Sequence, residues 1–221
     1  MERLTPNEYR NAVYLDFEGE GKKRNGFIPQ PHMAGIFEPN EKGKGGKYNS
    51  FFFLKEWMPV ANHLKRSSRL VGFSEYFEVL VDQLIVSKNH LVCWSIHEPM
   101  ILEMYLPKST FTKLLPTIHN LHPVAKQYAR RRNLFGPDTR TYGKTLDHFY
   151  TGFYPARPQN QALPKGAAEV CRRVDLACSK TQSWSDFSSK QKGYVRDLIE
   201  YNKNDCLMTW LIALKIGNSK W

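Results

Sequence analysis

One short run constrains this chain more than any other: Val13-Tyr14-Leu15-Asp16-Phe17-Glu18-Gly19 is apolar except for two acids, spaced two residues apart. In a strand, positions i and i+2 share a face, so Asp16 and Glu18 stand side by side while Leu15 and Phe17 turn the other way. Two carboxylates at the end of a buried strand are disfavoured twice, because each loses hydration and each repels the other. A divalent cation between them relieves both costs. The run therefore predicts a central strand over residues 11–18 that carries a metal site.

The following residues read as a meander. A turn-rich, basic loop covers 19–31. A second strand is expected over 32–38 and a third over 48–54, joined by the Gly/Lys turn from Pro39 to Gly46. The period then changes. Ser74 is a candidate cap for a helix whose buried face is Phe77, Leu80, Val81, Leu84 and Ile85. Leu91 to Trp94 reads as a fourth strand. His97 to Tyr105 reads as a helix with Pro99 in its first turn. Two further helices are expected over 109–118 and 122–134, an irregular Pro/Gly/Gln-rich stretch over 151–166, a helix over 167–178, and a long one from about Ser188 to Ile216. Strands first, then alternation with helices, predicts a single α/β domain over residues 1–221 with a mixed sheet.

The chain carries a net charge of +11, from 32 Lys+Arg against 21 Asp+Glu. Such a balance favours a polyanionic partner, most simply nucleic acid. An anionic membrane is the weaker alternative, because no polybasic block flanks an amphipathic helix. No stretch has the length and apolarity of a membrane span, and the N-terminal residues lack the apolar core of a secretory signal. Cys93, Cys171, Cys178 and Cys206 form no C-x-x-C pair. They fit core thiols in a reducing cytoplasm better than disulfides, and Cys171 and Cys178 with His148 match no common zinc spacing.

A second set of site residues lies near the C-terminus. In Tyr201-Asn202-Lys203-Asn204-Asp205, Tyr201 and Asp205 are four apart, roughly 40° around a helix axis. Asp205 falls on the edge of an apolar face that includes Leu198, Thr209 and Ile216, so its carboxylate needs a partner. A cation shared with Asp16 and Glu18 supplies one; an Arg or Lys nearby is the plainer alternative. Between the two sets, Trp94-Ser95-Ile96-His97-Glu98 follows the fourth strand. There Glu98 can reach across the sheet end, or can act as an ordinary first-turn acid that favours the helix dipole. His97 reads as a structural or substrate-side residue.

Together these residues resemble the DEDD 3′→5′ exonucleases with a tyrosine in the third motif, of the ribonuclease H-like superfamily. The three motifs are Asp16-x-Glu18, an acid after the fourth strand, and Tyr201-x-x-x-Asp205, and the resemblance runs from about Val13 to Ile216. One departure is Glu98, where the family carries Asp; Asp82 is the other acid considered for that role. The resemblance implies a ribonuclease H-like fold with two Mg²⁺ or Mn²⁺ ions held by Asp16, Glu18, Glu98 and Asp205, and a Tyr201 that orients the attacking water. It implies a phosphodiester hydrolase acting on single-stranded 3′ ends of DNA or RNA. Hard oxygen ligands suit those ions. A catalytically weak or inactive nucleic-acid-binding module, or an endonuclease using the same residues, are the alternatives.

Three basic groups are candidates for tracking a phosphate backbone: Lys22-Lys23-Arg24, then Lys42, Lys44 and Lys47, then Lys126 with Arg130, Arg131 and Arg132. For any one of them a solvated surface is the simpler reading. Phe51, Phe52 and Phe53 read as core. Tyr142, His148 and Tyr154 lie where they could meet a terminal base.

Overall fold

The chain begins with a helix that its apolar pattern does not announce. Thr5 accepts a hydrogen bond from the Glu8 amide, the Glu8 carboxylate accepts one from the Thr5 amide, and Pro6 opens the first turn of α1 (Pro6–Asn11). This capping box supports a helix only six residues long. Its presence moves the start of β1 (Val13–Glu18) two residues beyond the expected Asn11. The computed structural model describes residues 3–40, 44–64, 68–136, 145–155, 163, 165–181 and 183–219.

The expected meander is present: β1 pairs antiparallel with β2 (Met33–Pro39), and β2 pairs antiparallel with β3 (Gly46–Phe52). A short strand follows that the sequence pattern missed, β4 (Ser68–Leu70), parallel to β3. The run Leu91–Cys93 is therefore the fifth strand, β5, not the fourth, and it lies parallel to β1. A sixth strand, β6 (Ile118–Asn120), extends the sheet parallel to β5. The order is β4-β3-β2-β1-β5-β6, a six-stranded mixed sheet in an α/β fold. At three residues each, β4 and β6 are too short for alternation to register.

Helices cover both faces. On one face lie α3 (Phe73–Ser87), α4 (His97–Tyr105) and α5 (Lys108–Leu114), packed over Val13, Leu15 and Phe17 of β1. The N-cap of α3 is Gly72, not Ser74, whose hydroxyl instead donates to the Tyr105 carbonyl. Ile85 is exposed, and Phe73 completes the buried face in its place. The helix expected over 109–118 ends at Leu114, where Pro116 and the β-branched Thr117 and Ile118 turn the chain through a 3-10 segment into β6.

On the other face, α9 (Ser189–Gly217) crosses β1 and β2. It is flanked by α1, α6 (Leu121–Arg131), α7 (Leu146–Phe153) and α8 (Ala167–Cys178). Helix α7 runs only into the first three residues, 151–153, of the irregular stretch expected over 151–166. Ser188 and Gln191 form a capping box at the start of α9, close to the expected boundary. Phe51, Phe52 and Phe53 are buried, as expected of core residues. So are all four cysteines, each a free thiol. Helix α2 (Met58–His63) packs with Trp57 against α8. Among the described residues no helix is long and apolar enough to cross a membrane.

Candidate metal centre

The alternation of β1 sets the site. Val13, Leu15 and Phe17 go to the α3 side, while Tyr14, Asp16 and Glu18 face α9. Asp16 lies across from Gly35, and Glu18 across from Met33. From above, α9 lowers Asp205 onto the pair. Carboxylate oxygens of Asp16, Glu18 and Asp205 all lie within 4.8 Å of one another. Glu18 and Asp205 are buried and Asp16 is partly so.

Asp16 and Glu18 hold their protons more tightly here than in water. Burial, then the charges of Glu18, Asp205 and Glu98, push the Asp16 carboxyl well above the usual range. Burial and the Asp205 charge push Glu18 up to about 8, with hydrogen bonds from Asp16 and Asn202 acting the other way. A buried, all-oxygen set with excess negative charge suits a hard divalent cation such as Mg²⁺ or Mn²⁺, which would displace those protons. Among the described residues Cys171, Cys178 and His148 form no comparable group.

Glu98 is buried in the first turn of α4. Its Oε2 accepts from the Ser95 amide at 3.2 Å and the Ser95 hydroxyl at 3.0 Å, so the first-turn reading holds. Its charge nonetheless reaches Asp16 and Glu18, although it lies outside the close triad. Asp82 is exposed on α3, on the far side of the sheet from the acids.

Tyr201 precedes Asp205 by one turn and its hydroxyl bonds the Asp205 carboxylate. Burial first, and then the neighbouring acids, hold its proton in place far above its ordinary range. His97 lies with Glu18, Gly19 and Pro31 along a cavity of about 190 Å³, floored by Phe17, Ile28 and Ile101. A larger cavity, about 800 Å³, lies elsewhere, between β3, β4 and α3, and is lined by Lys47, Lys55 and Arg69 together with Glu38 and Glu75. It contains none of the clustered acids, so size does not mark the centre.

Sequence reasoning missed Asn202 and Tyr48. Asn202 is fully buried and donates to Asp16 Oδ2 at 2.6 Å and to the Asp16 carbonyl at 3.2 Å. The Tyr48 hydroxyl donates to Asn202 Oδ1 at 2.8 Å. The available signal was position: Asn202 sits three residues before Asp205, on the same side of α9.

The basic groups separate by position. Lys22, Lys23 and Arg24 are exposed in the loop that leaves Glu18, at the acid end of the sheet, with Lys23 paired to Glu20. Lys47 pairs with Glu38, five residues along β2 from Met33, so it sits roughly 17 Å toward the opposite end. Lys44 precedes it and Lys42 lies outside the described residues. Arg130 and Arg131 end α6, away from the acid end where that helix begins, and Arg132 lies over the Tyr128 ring. His148, in α7, stacks on Phe135, and the Tyr154 hydroxyl, just past the end of α7, donates to the Leu211 carbonyl of α9, so both side chains are packed against the fold. Tyr142 lies outside the described residues.

No family model and no curated protein matches the chain.

Proposed function

We propose that this chain is a metal-dependent 3′→5′ exonuclease that hydrolyses phosphodiester bonds of single-stranded nucleic acid, on a ribonuclease H-like fold. The observation that carries the reading is the approach of Asp16, Glu18 and Asp205 oxygens to within 4.8 Å at the end of a central strand. The meander β1–β3 followed by parallel β5 and β6 supports the fold, and the +11 charge supports a polyanionic substrate.

Asp16, Glu18 and Asp205 would hold Mg²⁺ or Mn²⁺, with Glu98 as the fourth acid for a second ion. When bound, such ions supply the water activation and charge neutralisation that phosphodiester hydrolysis needs. Tyr201 keeps its proton, so it acts as a hydrogen-bond donor that orients water or phosphate, not as a base. The cavity beside Glu18 offers the last base an apolar floor and His97 at its side. Lys22 and Arg24 stand where phosphates would leave the acids.

Asp16→Asn and Asp205→Asn should each abolish Mn²⁺-dependent release of nucleotides from an end-labelled single strand. Retained activity in both purified variants sinks the mechanism. Circular single strands should resist; their cleavage would mean endonuclease action. The contact of Glu98 with Ser95 favours a second reading, a binding module with a weak or silent centre. That reading predicts salt-dependent binding and no turnover across a titration of Mg²⁺ and Mn²⁺.

A further inference from the structure

Both side-chain polar atoms of Asn202 serve another group. Its Nδ2 bonds both the carboxylate and the carbonyl of Asp16, and its Oδ1 accepts from Tyr48. The reverse amide orientation would set Oδ1 against a carboxylate, so the network fixes which end faces Asp16. The space for this carboxamide comes from Gly35, the residue opposite Asp16 on β2. A Cβ at Gly35 would collide with Asn202 Oδ1, would sit 2.8 Å from its Cγ, and would sit 2.9 Å from a Tyr48 ring carbon. Gly46 at the start of β3 is crowded mainly by the backbone of β2, whereas Gly35 is crowded by the side chains of the network itself, and the φ of Gly35 is not in the left-handed region. Close approach is the reason for glycine here.

We propose that Asn202, held by Tyr48 over Gly35, is a positioning residue that aims the Asp16 carboxylate at the cation. The proposal rests on the metal-centre reading above. The bond to Oδ2 holds the Asp16 carboxylate in the orientation that keeps one of its oxygens within 4.8 Å of those of Glu18 and Asp205. Without that tie, Asp16 is free to rotate away from two like charges, and cation binding must then order it. Groups that orient a ligand in this way typically change metal affinity 10- to 100-fold, by order of magnitude, when removed.

The test is Mn²⁺ titration of the full-length, chelator-treated protein, with free Mn²⁺ read by electron paramagnetic resonance and folding checked by circular dichroism. Asn202→Ala should weaken Mn²⁺ binding about 10- to 100-fold. Tyr48→Phe keeps the ring and loses one hydrogen bond, and should weaken it roughly two- to tenfold. Gly35→Ala should weaken it with Asn202 intact and add little in the Asn202→Ala background, where the crowded carboxamide is gone. A merely structural role predicts lower melting temperatures with unchanged affinity, and that result overturns the proposal, in Tyr48→Phe if Asn202→Ala does not fold. A wild-type protein that binds no Mn²⁺ overturns the metal reading as well. A protein that binds Mn²⁺ with the predicted losses, yet cleaves nothing, leaves this inference standing and removes the nuclease reading.

Discussion

Glu18→Gln should make the metal-free protein more stable at alkaline pH and the metal-bound protein less so. The Glu18 carboxyl moves from 4.5 to about 8 in the fold, mainly through burial and the Asp205 charge. A raised carboxyl binds its proton more tightly in the native state than in the unfolded one. Its contribution to stability is therefore complete below about pH 4.5 and is lost as pH rises through about 8. One pKa unit corresponds to about 1.4 kcal/mol, and Asp16 and Asp205 share the same repulsion, so we assign the Glu18 charge on the order of 2 kcal/mol. For a chain of this size that is about 4–8 °C in melting temperature. Without metal, wild type should lose that much more than the variant between pH 5 and pH 9, the variant's remaining loss coming from Asp16. Mn²⁺ at about 100 times its dissociation constant should return about 2.7 kcal/mol to wild type and little to the variant. Thermal melts by circular dichroism, with chelator and with Mn²⁺, read both effects. A variant no more stable than wild type at pH 9 without metal, or an equal Mn²⁺ gain in both proteins, would refute the idea that these carboxylates strain the free centre.

Other expectations are simpler. Tyr201→Phe should lower turnover on the order of 100-fold while leaving Mn²⁺ affinity nearly unchanged, because the hydroxyl is a donor and not a charged ligand; an unchanged rate would make the tyrosine mere packing. Phe77→Ala removes a fully buried ring that meets Phe17, Phe53 and Phe73, and should cost about 3–5 kcal/mol in urea unfolding. A cost below about 1 kcal/mol would mean that the α3 face is not the core that supports β1.

The legible parts of the sequence are those with a strong period or a strong conflict. The β1 run, the meander and helix α8 are all present near their expected bounds. Asp16, Glu18 and Asp205 stood out because acids in apolar patterns call for a partner, and the fold does bring them together. Helix α1 and strands β4 and β6 were illegible because three to six residues carry no detectable period. Ile85 followed the 3-4-7 spacing, yet Phe73 fills that side of the core instead. Asn202 was invisible for a different reason. A neutral amide beside Tyr201 and Lys203 looks like an ordinary helix-surface residue, and its role appears only when Gly35 and Tyr48 arrive from other strands.

The sheet itself gives a reason for a site at this place, independent of any motif. β1 runs antiparallel to β2 on one side and parallel to β5 on the other. The chain leaving β1 turns back into β2 by the 19–31 loop, while the chain leaving β5 turns into α4. Connections that diverge between neighbouring strands open a crevice at their carboxyl ends, the position where open α/β sheets bind ligands. Glu18 stands on one side of that divergence, and Ser95 and Glu98 on the other. The Glu98 carboxylate is held by the Ser95 amide and hydroxyl at the mouth of α4, and its charge still raises the Asp16 and Glu18 carboxyls.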